Sequence, residues 1–516
     1  MREILLAGGA ILDGTGRPAR REDVLIRGDR IAAMGVWERS PDWEVIDCTG
    51  LHVTPGFLDV HSHGDHEVRQ HLPHKLKQGV TTEVVGNCGI SIFPARAGCR
   101  QTNGERFGDD VDLPGAAAYL AGLETSGIRL NAAAFTGNGT LREFIMGTRA
   151  DPPSEDEFRA MERVLEECLE AGSLGLSTGL NILPGSFAST AEVIRLCGVV
   201  RKHGAYYATH MRDYRFRVWE AIDEAIEIGR RADVPVQISH LQVVGQKNWE
   251  KLDGALARIE RARGEGLDIA MDAYPYLAGS CSLIQFLPGW CQEGGVPRLL
   301  EWLAWPAQRD RIARETDDYM ANTWDDLVVS DVGTSANRAC VGKSLARIAA
   351  ERDAPAPLTA INLLREEDGY VYVISFNNNE ANLRRVLTHP LTSVITDGLI
   401  TEGLSHPRTF GTYPAFLGEY VREKRWLTLE EAIVKTSAQA ARRFGFRGRG
   451  VLEAGGFADV VVFDAETIGT DADYQRPEHD PRGIIHVLVN GEFAVRGGAL
   501  TEARAGRPLR HAAPAR

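Results

Sequence analysis

The chain holds eight cysteines in 516 residues, with no Cys-x-x-Cys pair, so it has no disulfide framework, and most of these thiols read as small buried hydrophobes in a reducing compartment. No apolar run approaches the roughly 20 residues a membrane-spanning helix needs. The N-terminal stretch Met1-Arg2-Glu3-Ile4-Leu5-Leu6-Ala7-Gly8 is too short in apolar residues for a signal peptide. Basic charge is also short. Lys and Arg number 58 against 71 Asp and Glu, a formal net charge of −13, which argues against a protein that neutralises nucleic-acid phosphates. These absences predict a cytoplasmic protein acting on a small molecule, with no nucleic-acid or membrane partner; self-association into a homo-oligomer is left open.

What is present is ordinary globular material, 43% hydrophobic and 25% charged, too long for one core, so one large domain plus a smaller unit is expected. Short apolar strands alternate with helical segments between about residues 50 and 400, the pattern of parallel βαβ units. Eight strands can be read: Val53–Val60, Thr82–Val85, Leu130–Phe135, Leu174–Thr178, Tyr206–Thr209, Val236–Ser239, Ile269–Ala273 and Ser393–Thr396. Eight predicts an α/β fold, a closed (β/α)8 TIM-like barrel.

Capping boxes at Ser154/Glu157, Ser189/Glu192 and Thr428/Glu431 mark helix starts. An insertion at about 277–370, carrying Trp290, Trp302, Trp305 and Trp324, is expected near the substrate mouth. Residues 1–54 and 443–516 read as short strands and turns that pair into a small β-sandwich beside the barrel of residues 55–442. The tail Ala505–Arg516 reads as frayed.

Residues just past the strand ends of such a barrel meet at one mouth. His61 and His63 follow the first strand, Cys88 the second, His210 the fifth, His240 the sixth and Asp397 the eighth. Side chains two apart on a strand share a face, so His61-Ser62-His63 aims two imidazoles at one point. A thiolate with imidazoles favours zinc over magnesium or calcium, and three protein ligands leave a fourth position open, the arrangement that acidifies water to a pKa of about 7. That points to hydrolysis. Asp397, ending the last apolar strand, is the candidate acid and base.

Together these motifs resemble the N-acyl-D-amino-acid deacylase (D-aminoacylase) family of the amidohydrolase superfamily. The resemblance runs through Pro55-Gly56-Phe57-Leu58-Asp59-Val60-His61-Ser62-His63, Gly86-Asn87-Cys88-Gly89, Thr209-His210-Met211-Arg212, Gln237-Ile238-Ser239-His240-Leu241, Asp272-Ala273-Tyr274-Pro275-Tyr276, Thr396-Asp397-Gly398 and His406-Pro407-Arg408. It implies that Cys88, His210 and His240 hold a tight zinc, that His61 and His63 serve a weaker neighbouring metal, and that Asp397 is catalytic. Leu174–Gly179 lacks the lysine that many relatives carboxylate to bridge two metals, and Cys88 would supply the anionic ligand instead.

By the same resemblance Arg408 would hold a substrate carboxylate, with Tyr274 or Tyr276 assisting. Two departures stand out. Gln242 replaces a lysine that usually contacts the carboxylate, and Tyr214 replaces an acidic residue, presenting a phenol to the pocket. The expected reaction is hydrolysis of N-acyl-D-amino acids. Open beside it are an amidase of the same fold acting on another N-acyl amide or a ureido bond, and a non-catalytic barrel scaffold.

Overall fold

A computed structural model describes residues 3–96 and 111–511. Its centre is a (β/α)8 barrel with strands β1 (Phe57–Asp59), β2 (Val80–Val85), β3 (Asn131–Ala134), β4 (Gly175–Gly179), β5 (Tyr206–His210), β6 (Val236–Ile238), β7 (Ile269–Ala273) and β8 (Thr392–Val394). All neighbouring ladders between them are parallel. Strands buried on both faces read as apolar runs, which is why all eight were visible in the sequence.

The strands form two arcs, β1 to β3 and β4 to β8. At one seam Leu174 N donates to Ala134 O at 2.8 Å, and Thr136–Gly137 pairs with Leu176–Ser177. At the other, Asp397 N donates to His61 O at 2.9 Å and His63 N to Gly398 O at 3.0 Å. The second seam therefore joins three site residues directly.

The first predicted strand, Val53–Val60, is two strands in two sheets. His52–Pro55 pairs antiparallel with Val460–Phe463 in the small unit, and only Phe57–Asp59 enters the barrel. Gly56 is the break: a β-carbon there would lie 2.1 Å from Thr81 Oγ1, so only glycine lets the chain pass so close.

The two ends of the chain build a β-sandwich. Glu3–Ala7, Asp23–Arg27, Arg30–Gly35 and Glu44–Asp47 form one sheet; strands from both termini form a seven-stranded sheet. Ile4, Leu6, Ile26, Val53, Val460, Val462 and Leu488 fill the space between them. The tail is not frayed as far as it is described. Ile128 and Ala132 bridge Gly506 and Pro508, and Leu509 N donates to Ala132 O at 2.7 Å, while residues 512–516 lie outside the described residues.

Between β7 and β8, Ala278–Ser282, Leu327–Val332 and Val371–Phe376 form a three-stranded antiparallel sheet packed on helices, with its own apolar core of Leu299, Leu303, Ile312, Leu327, Val329 and Val373. The predicted boxes at Ser154/Glu157 and Thr428/Glu431 are complete. At Ser189 only the serine half forms, because the Glu192 carboxylate pairs with buried Arg142 instead. No helix among the described residues is long and apolar enough to cross a membrane.

Candidate active site

Three site residues adopt positive φ where β2, β6 and β8 end: Cys88 at 54°, His240 at 32° and Asp397 at 47°. L-residues rarely enter this region, and the turn it produces re-aims each side chain at the barrel mouth. The Cys88 turn is pinned from both sides. Asp65 accepts from Gly86 N and Ile92 N, each at 3.1 Å, and Ser177 Oγ accepts from Gly89 N at 3.1 Å. Both flanking glycines are required, since a β-carbon on Gly86 would meet Phe135 O at 2.3 Å and one on Gly89 would meet Gly179 N at 2.5 Å.

His61, Cys88, His240 and Asp397 bring one potential ligand atom each to within 4.8 Å of one another, all buried. Cys88 Sγ lies 3.2 Å from His61 Nε2 and 3.4 Å from His240 Nε2. Asp397 Oδ1 lies 3.4 Å from His61 Nε2 and 3.0 Å from His63 Nε2. His210 stands beside this group, its ring 4.6 Å from that of His240, and its Nε2 is buried without a hydrogen-bond partner among the described residues. A thiol, imidazoles and a carboxylate converging with a bare ring nitrogen fit a zinc ion.

Burial sets the charge states. It pushes His240 down to about 4, and with the neighbouring His240 it holds His210 well below the ordinary histidine value, so both rings are neutral and available as ligands. At His61 burial also pulls downward, but Cys88 and Asp272 hold its pKa well above normal. Burial opposes ionisation of Asp397 too. The charge of Arg408 and the hydrogen bond from His63 outweigh it and keep the carboxyl well below its usual range.

A cleft opens from His210, His240 and Asp397 toward the insertion, lined also by Tyr214, Gln242, Tyr274 and Arg408. Arg408 Nη2 lies 2.8 Å from Asp397 Oδ2, its guanidinium stacks 4.5 Å from the Tyr274 ring, and its buried Nε has no hydrogen-bond partner among the described residues. Tyr274 OH donates to Gln242 Oε1 at 3.4 Å. The Tyr214 hydroxyl faces backbone: it accepts from Met211 N at 2.9 Å and donates to Ser239 O at 3.1 Å, so it offers the cleft its ring. Tyr276 is outside the cleft lining, packed edge-on against His406 at 5.3 Å.

Sequence reasoning overlooked two positioning residues and a cleft arginine. Asp272 accepts from His240 N at 2.6 Å and Gln237 Nε2 at 2.7 Å, and its Oδ1 stands 3.3 Å from His61 Nδ1. Its signal was a carboxylate within the apolar run Ile269–Ala273. His406 accepts from Arg408 N at 3.0 Å and reaches Ala278 O through Nε2 at 2.9 Å, tying the arginine to the insertion. Arg215 lines the cleft, and nothing local marked it.

The amidohydrolase family matches over residues 44–280 and 368–495. The chain is 38% identical to an N-acyl-D-glutamate deacylase of Alcaligenes xylosoxydans xylosoxydans, over 98% of this chain and 96% of that one. It is 36% identical to a D-aminoacylase of the same organism, over 98% and 97%. Among solved structures, N-acyl-D-glutamate deacylase from Bordetella bronchiseptica, complexed with zinc and a phosphonate inhibitor that mimics the tetrahedral intermediate, superposes with a TM-score of 0.86 at 34% identity, over 98% of this chain and 99% of that one. The chain belongs to the amidohydrolase family, and within it to the N-acyl-D-amino-acid deacylases.

Proposed function

We propose that this chain is a zinc-dependent hydrolase that cleaves the amide bond of N-acyl-D-amino acids, releasing a carboxylate and a free D-amino acid. The observation that carries the reading is the meeting of Cys88, His61, His240 and Asp397 within 4.8 Å at the mouth of a deacylase-type barrel. Cys88, His210 and His240 would hold a tight zinc, with His61 and His63 at a weaker neighbouring site. Zinc held there supplies a Lewis acid for the acyl carbonyl and lowers the pKa of water.

Asp397, ionised and fixed between His63 and Arg408, takes the proton of the attacking water and returns it to the departing nitrogen. Arg408 on the cleft wall would receive the substrate carboxylate, with Tyr274 and Gln242 beside it; the Tyr214 ring bounds the cleft and Tyr276 backs it through His406. In this reading residues 1–54 and 443–516 are the small unit, 55–442 the barrel, and the insertion shapes the mouth. A cytoplasmic location agrees with the seven described cysteines, all unpaired, and association of copies belongs to the reading as a point for sedimentation to decide.

The test is Asp397→Asn. Zinc content should be kept while kcat on N-acetyl-D-methionine falls by about 100-fold or more. Near-normal turnover would remove Asp397 from the chemistry. The neutral Gln242 favours a second reading, an amidase indifferent to a carboxylate, and equal rates on N-acetyl-D-methionine and its carboxamide would establish it.

A further inference from the structure

Arg215 stands on the wall of the cleft. It follows β5, on a loop fixed by Asp213, whose Oδ1 accepts from both Arg215 N and Arg217 N, and by the backbone-bonded hydroxyl of Tyr214. Its guanidinium donates to Gln285 O at 2.7 Å and lies 5.0 Å from the Phe286 ring, both on the first turn of the insertion. Among the described residues no carboxylate lies within ion-pair distance of it. A guanidinium has five N–H donors, so most of its hydrogen-bonding capacity is unspent.

Charge around the cleft does not balance. Apart from histidines, the lining holds three charged groups, Asp397, Arg408 and Arg215. Asp397 and Arg408 offset one another at 2.8 Å, and the rest of the wall near Arg215 is neutral: Asn181, Ser280, Cys281, Gln285 and Asn377. One positive charge remains, inside a chain whose net charge is −13. A half-buried planar fork held against a backbone carbonyl and an aromatic face is preorganised for a carboxylate.

The two arginines occupy different places relative to the reacting bond. The α-carboxylate carbon of an N-acyl amino acid is two bonds from the scissile nitrogen, so it must lie close to Asp397, where Arg408 stands. Arg215 makes no ion pair with Asp397 and reaches the same cleft from the loop after β5, braced on Gln285 and Phe286 of the insertion, apart from the Arg408–Asp397 pair. Cys281 on the same wall senses both guanidiniums, although burial pushes its thiol up to about 11.

We propose that Arg215 receives the side-chain carboxylate of an N-acylated acidic D-amino acid, aspartate or glutamate, and makes the cleft selective for a dianionic substrate. This rests on the reading of the chain as an N-acyl-D-amino-acid hydrolase. Wild type, Arg215→Met and Arg215→Lys are assayed with N-acetyl-D-glutamate, N-acetyl-D-aspartate, the near-isosteric N-acetyl-D-glutamine and N-acetyl-D-methionine, with zinc per chain and melting temperature measured on each protein.

Wild type should prefer an acidic substrate over the glutamine derivative. Arg215→Met should lower kcat/KM on that acid by about 100-fold, mainly through KM, against a loss below about 5-fold on the glutamine derivative. Arg215→Lys, which keeps charge without the fork, should fall between. Equal losses on acid and amide, or a wild-type preference for glutamine or methionine derivatives, would overturn the proposal while leaving the deacylase reading standing. No turnover of any of the four by zinc-loaded wild type would sink both.

Discussion

The guanidinium of Arg408 and the carboxylate of Asp397 meet at 2.8 Å with both side chains almost wholly buried. One planar group thus holds the candidate acid/base residue in place and lines the cleft as well. A lysine cannot do both, because its ammonium is a point charge without a fork. Arg408→Lys should raise KM for an N-acyl-D-amino acid by about 10-fold or more, on the energetic scale of a lost charged hydrogen bond. Steady-state kinetics with KM unchanged would take Arg408 off the substrate.

Asp272 acts through the residues it orients. It fixes the His240 backbone at 2.6 Å and faces His61 Nδ1 at 3.3 Å. Outer partners of metal ligands typically contribute about 10–100-fold in metal affinity, so Asp272→Ala should lose zinc in a competition with a chelator at lower chelator concentration than wild type. Asp272→Asn, which keeps an acceptor for His240 N, should lose less.

Cys88 lies at the centre of the candidate ligand cluster, 3.2 Å and 3.4 Å from two imidazoles. Cys88→Ala should purify with well under one tight zinc per chain and without turnover. Stripping wild type with a chelator should lower its melting temperature, since a ligand at 100 times its Kd stabilises a fold by about 2.7 kcal/mol. Re-addition of zinc should restore both properties in wild type only.

Behind the β8–β1 seam lies a buried ammonium. Lys75 Nζ donates to Asp59 Oδ2 at 2.5 Å, Ser62 Oγ at 3.0 Å and Thr396 Oγ1 at 2.5 Å, joining the residues that precede or separate His61, His63 and Asp397. Removing one partner of a buried pair costs about 3–5 kcal/mol, so Lys75→Met should lower the urea midpoint sharply. Tyr413 bridges the same strands, its hydroxyl 3.1 Å from Leu58 O and 3.2 Å from Val394 O. Tyr413→Phe should cost about 1–3 kcal/mol, and a loss of both midpoint and kcat would show that the seam sets the site geometry.

The barrel strands were legible because a parallel strand buried on both faces must be apolar along its length, and each such run ends in a polar residue where the chain emerges at the mouth. That rule marks His61, His63, Cys88, His210, His240 and Asp397 from the sequence alone. Capping chemistry was legible for the same local reason at Ser154 and Thr428, but not at Ser189, where the distant Arg142 takes Glu192 away.

What the chain alone determined is therefore whatever a few neighbouring residues dictate: strand or helix, buried or exposed, the end of a run. What only the tertiary structure decided depends on which atoms come together from far apart. Val53–Val60 reads as one strand because both halves are apolar, and its division at Gly56 follows from Thr81 packing against it. His61 joins Cys88, His240 and Asp397 in one cluster with His210 beside it, Tyr214 turns its hydroxyl to backbone, and Asp272 and Arg215 are placed by contacts with residues more than 25 positions away. Hydrophobic periodicity carries no information about such pairings, because hydrogen bonds and charge contacts act over a few ångströms in space and not along the sequence.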